Sequence, residues 1–137
     1  MLIDKEKRFV FVAIPKTACT SIQRFFVAGE NDPPPEIYHM DLQNIIKNYP
    51  FAINYFKFAF VRNPWDRFVS AYHNFTQDSG HHSWSFPILK YPTFHEFCLN
   101  FEHDEECRNL LHMRTQISFL ELDGVVRADY IGKFRSE

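Results

Sequence analysis

Lys16, Thr17, Thr20 and Ser21 fall within one six-residue window, directly after the apolar run Phe9 to Ile14. One cation and three hydroxyls at that spacing are equipped for binding an anion. If a strand delivers them to the start of a helix, the helix adds its unpaired backbone N–H groups and the positive end of its dipole. A second set repeats the arrangement. Arg62, Arg67 and Ser70 follow the apolar run Phe58 to Val61, and 46 residues separate Arg62 from Lys16. Two phosphate-seeking turns suit a ligand with two separated phosphate groups. A continuous triphosphate chain needs only one cradle plus a metal ligand, and no acidic strand end suited to such a metal stands out.

The flanking residues define the elements that must hold these groups. FVFVAI reads as a buried strand, ended by Pro15. Ile22, Phe25 and Phe26 continue a helix that Gly29 can end. The segment does not fit the triphosphatase loop GxxxxGK[ST]: no glycine occurs between Phe9 and Ala28, and the lysine precedes the turn. In the second unit of strand and helix, Asn63 suits the N-cap, Pro64 the first helical position and Asp66 the first turn. Trp65, Phe68, Val69 and Tyr72 fall at i, i+3, i+4 and i+7, which predicts one core-facing stripe. NDPPP, 31–35, reads as a rigid turn. A short helix is expected near Asp41 to Tyr49, capped by Asp41, burying Leu42, Ile45 and Ile46 and closed by Pro50.

PKTACTS after a strand resembles the 5′-phosphosulfate loop of the sulfotransferases that use 3′-phosphoadenosine 5′-phosphosulfate (PAPS). The carbohydrate sulfotransferases are the most similar in look, with PKTAGT or PKTGST; here Cys19 stands where glycine is common. RNPWDRFVSAY matches the R-x-P-x-x-R-x-x-S-x-Y pattern of that family's 3′-phosphate motif at every fixed position. The resemblance implies that Lys16, Thr17, Ala18, Cys19, Thr20 and Ser21 hold the 5′ end of the donor. It further implies that Arg62 and Ser70 bind the 3′-phosphate. Arg67 is either a ligand contact or a helix-surface salt-bridge partner, and Tyr72 reads as core.

Sulfuryl transfer to an alcohol needs a proton acceptor. His39 lies 23 residues after Lys16, about the remove at which similar sulfotransferases place a general base. Histidine suits that task near neutral pH; the competing role is a cap or turn before the Asp41 helix. His81, His82 and Trp84 lie in a polar segment around Gly80 that reads as an acceptor-binding loop. HMRTQISFL, 112–120, is similar to the family's H-[WF]-x-P-Q-x-x-[FY]-L, with Thr115 in place of proline. That makes His112, Arg114 and Gln116 further acceptor or cleft candidates, with structural roles as the alternative. No metal site is expected, because paired histidines without a carboxylate at ligand spacing are a weak signal.

The remaining segments read as support. Thr93 and Glu96 form a capping box before Phe97, Leu99 and Phe101. His103 to Glu106 reads as a solvated turn, and ADYIGKF, 128–134, as a last strand similar to the family's D-[YF]-I-G-[RK]-[FY]-E-N. A few antiparallel turns near Asp123-Gly124 are compatible with this.

The chain has 137 residues, 45% apolar and 18% aromatic, with a formal charge of −2, which suits one domain and argues against a nucleic-acid-coating surface. Charges from Asp4 to Arg8 leave no signal-peptide core, and no apolar stretch reaches membrane-span length. The expectation is a soluble, cytoplasmic protein, or a Golgi-lumen domain if it is excised from a longer chain. Cys19, Cys98 and Cys107 read as free thiols, with a 98–107 bridge open under oxidising conditions.

The expected fold is α/β, a small parallel sheet flanked by helices, as one sulfotransferase-like domain over 1–137. The P-loop-like family fold would be in a minimal or truncated version, lacking the family's closing element. The function expected from the resemblance is transfer of a sulfuryl group from PAPS, without metal, to a hydroxyl acceptor such as a carbohydrate. The product nucleotide would be adenosine 3′,5′-bisphosphate. A non-catalytic nucleotide-binding module and a small ATP-dependent kinase are the alternatives.

Overall fold

The computed structural model describes residues 1–26, 39–77 and 86–135. The chain divides into two compact units, Met1–Arg62 with Thr115–Glu137, and Asn63–Arg114.

The first unit carries strands β1 (Leu2–Asp4), β2 (Phe9–Phe11), β3 (Phe56–Arg62), β4 (Glu121–Leu122), β5 (Val125–Val126) and β6 (Tyr130–Phe134). Its helices are α1 (Cys19–Phe26) and α2 (Leu42–Asn48). The main sheet has the order β1-β2-β3-β6, and β4-β5 forms a separate hairpin. β2 runs parallel to β3 (Phe11 opposite Phe58), and β3 parallel to β6 (Arg62 opposite Phe134); β1 is antiparallel to β2. The protein is therefore mixed α/β, with a central, mostly parallel sheet flanked by helices.

The apolar run of β2 is explained by burial on both sides. Side chains alternate across a strand, so Val10, Val12 and Ile14 pack with Leu42 and Ile45 of α2 and with Ala59, Phe119 and Leu120. Phe11 and Ala13 face the other way, against Cys19 and Ile22 of α1, Phe58 and Phe60. Residues 10 to 14 are fully buried, each large side chain contributing about 1.5–3 kcal/mol. The charged run after β1 makes the connecting turn, where the Lys7 amide donates to Asp4 Oδ1 at 2.7 Å and Arg8 is left-handed (φ 55°).

Two devices fix β3 against β6. The Lys57 amide donates to Asp129 Oδ2 and the Asp129 amide to the Lys57 carbonyl, both at 2.7 Å. Buried Lys57 turns its ammonium onto the carbonyls of Ile53 and Tyr55, each at 2.7 Å. Farther along, Gly132 sits opposite Phe60, and a Cβ there would come within 2.5 Å of the ring.

The second unit holds α3 (Pro64–Gln77), α4 (Phe86–Leu89), α5 (Phe94–Phe101) and α6 (Glu105–Arg108). Asn63 caps α3 as expected, its Oδ1 accepting from the Trp65 amide at 2.9 Å. The buried stripe differs from the expected one. Ala71, Tyr72 and Phe75 are buried, with Phe68 packed against them, whereas Trp65 is 77% exposed and Val69 also faces solvent. The i, i+3, i+4, i+7 pattern starts at Phe68, about one turn later, where Ile88, Phe97 and Cys107 supply the partners.

The Thr93–Glu96 capping box forms as read. The turn from His103 to Glu106 is not simply solvated. Asp104 is buried, accepts from Tyr91 Oη at 2.6 Å, pairs with Lys90 at 2.7 Å and caps α6 through the Cys107 amide. Burial works against this carboxylate, but the hydrogen bonds from Lys90, Tyr91 and Cys107 outweigh it and hold its pKa well below the usual range.

Candidate functional site

The loop between β2 and α1 leaves the carboxyl end of a parallel strand, the end at which open α/β sheets take ligands. Its backbone is unusual: Lys16 (φ 67°) and Ala18 (φ 61°) are both left-handed without being glycine. Such residues cost about 1–2 kcal/mol each. Left-handed residues in a turn direct successive N–H groups into a concavity suited to anions. The Thr17 side chain is buried inside the loop and donates to the Ile14 carbonyl at 2.9 Å, so its hydroxyl braces the turn. The Ile22 amide bonds the Ala18 carbonyl. That is the first turn of α1, where the leading amides find no carbonyl four residues back within the helix.

His39 lies against this loop. Its Nδ1 is 2.9 Å from the Ala13 carbonyl and 4.0 Å from Cys19 Sγ. A carbonyl only accepts, so Nδ1 carries the proton and Nε2 of the neutral ring carries the lone pair. His39 is half-buried in the turn just before α2, and the cap of that helix is Asp41. Cys19 is buried, and burial pushes its thiol pKa up, partly offset by hydrogen bonds from Thr20.

Arg62 ends β3, the strand next to β2. Its guanidinium lies over the Phe134 ring, 5.5 Å from the centroid. Its amide donates to Gln116 Oε1 at 2.9 Å, and its carbonyl accepts from Gln116 Nε2 at 2.8 Å. Its Nε is buried and makes no hydrogen bond among the described residues. A guanidinium donor held out of water without an acceptor fits an anion ligand.

The structure thus brings Lys16 to Ser21 together with His39 in the first unit, and sets Arg62 at the end of the adjoining strand. Gln116 meets the Arg62 backbone. Ser70 lies on α3 of the second unit. In that unit buried Arg67 donates from Nη1 to the Arg114 carbonyl at 3.0 Å, and burial lowers its pKa to about 10. This replaces the helix-surface reading of Arg67. His112 packs edge-on against Phe75, 5.1 Å between ring centroids. His81, His82 and Trp84 lie outside the described residues. Among the described residues, no three His, Cys, Asp or Glu side chains are grouped to hold a metal. Likewise, no described helix is long and apolar enough to cross a membrane. All three cysteines are free, and the Cys107 thiol, pushed up to about 12 chiefly by burial, donates to the Pro87 carbonyl.

Two participants escaped the sequence reading. The Ala13 carbonyl fixes the His39 ring, and Phe134 underlies Arg62. An aromatic residue ending the strand parallel to β3 was the available signal for the second.

Residues 1–136 match the family model described as the Sulfotransferase family. The chain belongs to the sulfotransferase family. It is 32% identical over 93 residues to carbohydrate sulfotransferase 11 of Rattus norvegicus, covering 56% of this chain and 26% of that protein. The Danio rerio protein of the same name is 30% identical over 89 residues, covering 54% of this chain and 25% of the relative. The chain thus spans about a quarter of the length of these curated relatives. No solved structure matches.

Proposed function

We propose that the protein is a PAPS-dependent sulfotransferase acting on a hydroxyl of a carbohydrate. The observation that carries the proposal is the loop of residues 16–21. It is strained, lysine-bearing and open at a helix N-terminus, with His39 lodged against it, at the end of the strand beside Arg62. The left-handed backbone and the leading amides of α1 support the P-loop-like reading and fit the 5′-phosphosulfate. The buried Arg62 Nε fits a 3′-phosphate, with Ser70 as its second ligand on the family motif.

In this reading the acceptor oxygen attacks sulfur while the bond from sulfur to the bridging phosphate oxygen breaks. The acceptor proton passes to His39 Nε2, and the electron pair of the broken bond leaves on adenosine 3′,5′-bisphosphate. Lys16 and the α1 amides stabilise the charge that develops on that leaving oxygen. The positive field is supplied by lysine and backbone, so no metal takes part.

Thermal unfolding tests the donor without knowledge of the acceptor. Adenosine 3′,5′-bisphosphate should raise the melting temperature without metal, and ATP with magnesium should not. The reverse result would establish phosphoryl-transfer chemistry instead. Sulfate transfer to a panel of sugars then tests turnover. Bisphosphate binding with no transfer to any acceptor would identify a nucleotide-binding module.

A further inference from the structure

Arg62 is the last residue of β3, and on one side it is paired with Phe134 of β6. Among the described residues, no strand pairs with its other side. β2 pairs with β3 only from Phe9–Phe56 to Phe11–Phe58, and the same register would bring Pro15, which has no N–H, opposite Arg62. Gln116 fills that place. Its carboxamide takes the Arg62 amide at 2.9 Å and gives to the Arg62 carbonyl at 2.8 Å, the pair of bonds a neighbouring strand would have made. The segment bearing Gln116 is anchored in turn: the 3₁₀ turn Ile117–Phe119 follows, with Phe119 and Leu120 buried in the core beneath β2 and α2.

We propose that Gln116 is the positioning residue for Arg62: by standing in for the absent strand it fixes where the guanidinium meets the donor's 3′-phosphate. The inference rests on Arg62 as the 3′-phosphate ligand. Gln116 touches no reacting atom; it acts through the backbone of Arg62, while Phe134 supports the guanidinium from the opposite side. Both groups of the carboxamide are needed. A glutamate keeps the acceptor for the Arg62 amide but sets a carboxylate against the Arg62 carbonyl, and an apolar side chain loses both bonds.

The test is calorimetric binding of two probes, adenosine 3′,5′-bisphosphate and AMP, which lacks the 3′-phosphate. The proteins compared are the wild type, Gln116→Glu, Gln116→Leu, Arg62→Ala and the double variant Arg62→Ala/Gln116→Leu. Each Gln116 variant should lose about ten-fold or more in affinity for the bisphosphate, the scale of one or two hydrogen bonds, with AMP affinity unchanged. On the Arg62→Ala background, Gln116→Leu should add nothing. Equal losses for both probes, or additive losses in the double variant, would overturn the inference and leave Gln116 a general stabiliser. If Gln116→Leu fails to fold, Gln116→Glu, which keeps side-chain volume and one bond, carries the same comparison. A wild type with no preference for the bisphosphate over AMP would overturn the 3′-phosphate reading itself, an outcome distinct from a preference that survives the Gln116 changes.

Discussion

His39 Nδ1 lies 2.9 Å from the carbonyl oxygen of Ala13, which fixes both the ring and its tautomer beside the loop that carries Lys16. An asparagine can offer an amide N–H to the same carbonyl without providing a base. His39→Asn should therefore keep nucleotide affinity while lowering kcat by roughly 10²–10⁴. Calorimetry with adenosine 3′,5′-bisphosphate and a sulfate-transfer assay read the two halves; undiminished turnover would remove His39 from the mechanism.

Lys16→Ala should abolish measurable transfer, a loss of about 10²–10³ or more in kcat for one charge-stabilising donor. The fold should stay intact, because the Lys16 side chain is not part of the core. Circular dichroism alongside the transfer assay checks both statements.

Ala18, at φ 61°, sits where glycine is at ease. Relief of about 1–2 kcal/mol of strain, less the entropy that glycine adds to the unfolded chain, leaves Ala18→Gly more stable by about 0.5–1 kcal/mol. Urea unfolding measures it. A destabilised variant would show that the alanine methyl contributes packing that outweighs the strain.

Gly132→Ala should destabilise by about 1–3 kcal/mol, because the new methyl meets the Phe60 ring. Combining it with Phe60→Leu should recover part of the loss. If the single variant is neutral, the ring moves aside freely.

Asp104 supplies a pH dependence. Its folded pKa is depressed, so its contribution is complete above the unfolded carboxylate value of about 3.9 and is lost as pH falls through the folded one. Stability of the wild type should decline on acidification more steeply than that of Asp104→Asn, which starts lower at neutral pH. Parallel urea midpoints for the two proteins between neutral and acid pH would contradict this.

Much of the loop was legible because the strand, proline, lysine and hydroxyls are contiguous, and local order dictates local structure there. Asn63, Asp41 and the Thr93–Glu96 box were readable for the same reason: a cap is a relation between residues two or three apart. The sheet order required knowing that β6 returns beside β3, a pairing over some seventy residues enforced by Lys57 and Asp129. The stripe on α3 was misplaced because two interleaved apolar patterns share that helix, and only its partners decide which is buried. Asp104 looked solvated because its partners Lys90 and Tyr91 lie more than ten residues away. Gln116 stood in a motif, but nothing local distinguishes a carboxamide aimed at an acceptor from one aimed at a main chain.

Among the described residues, the aromatic face around Phe58, with Phe9, Phe11, Phe26, Phe56 and Phe60, contains phenylalanine alone. The chain's two tryptophans, Trp65 and Trp84, both fall outside the segments that build the first unit. The first unit therefore carries no indole of its own to report on its melting. A Phe58→Trp variant would give the sheet a chromophore of its own.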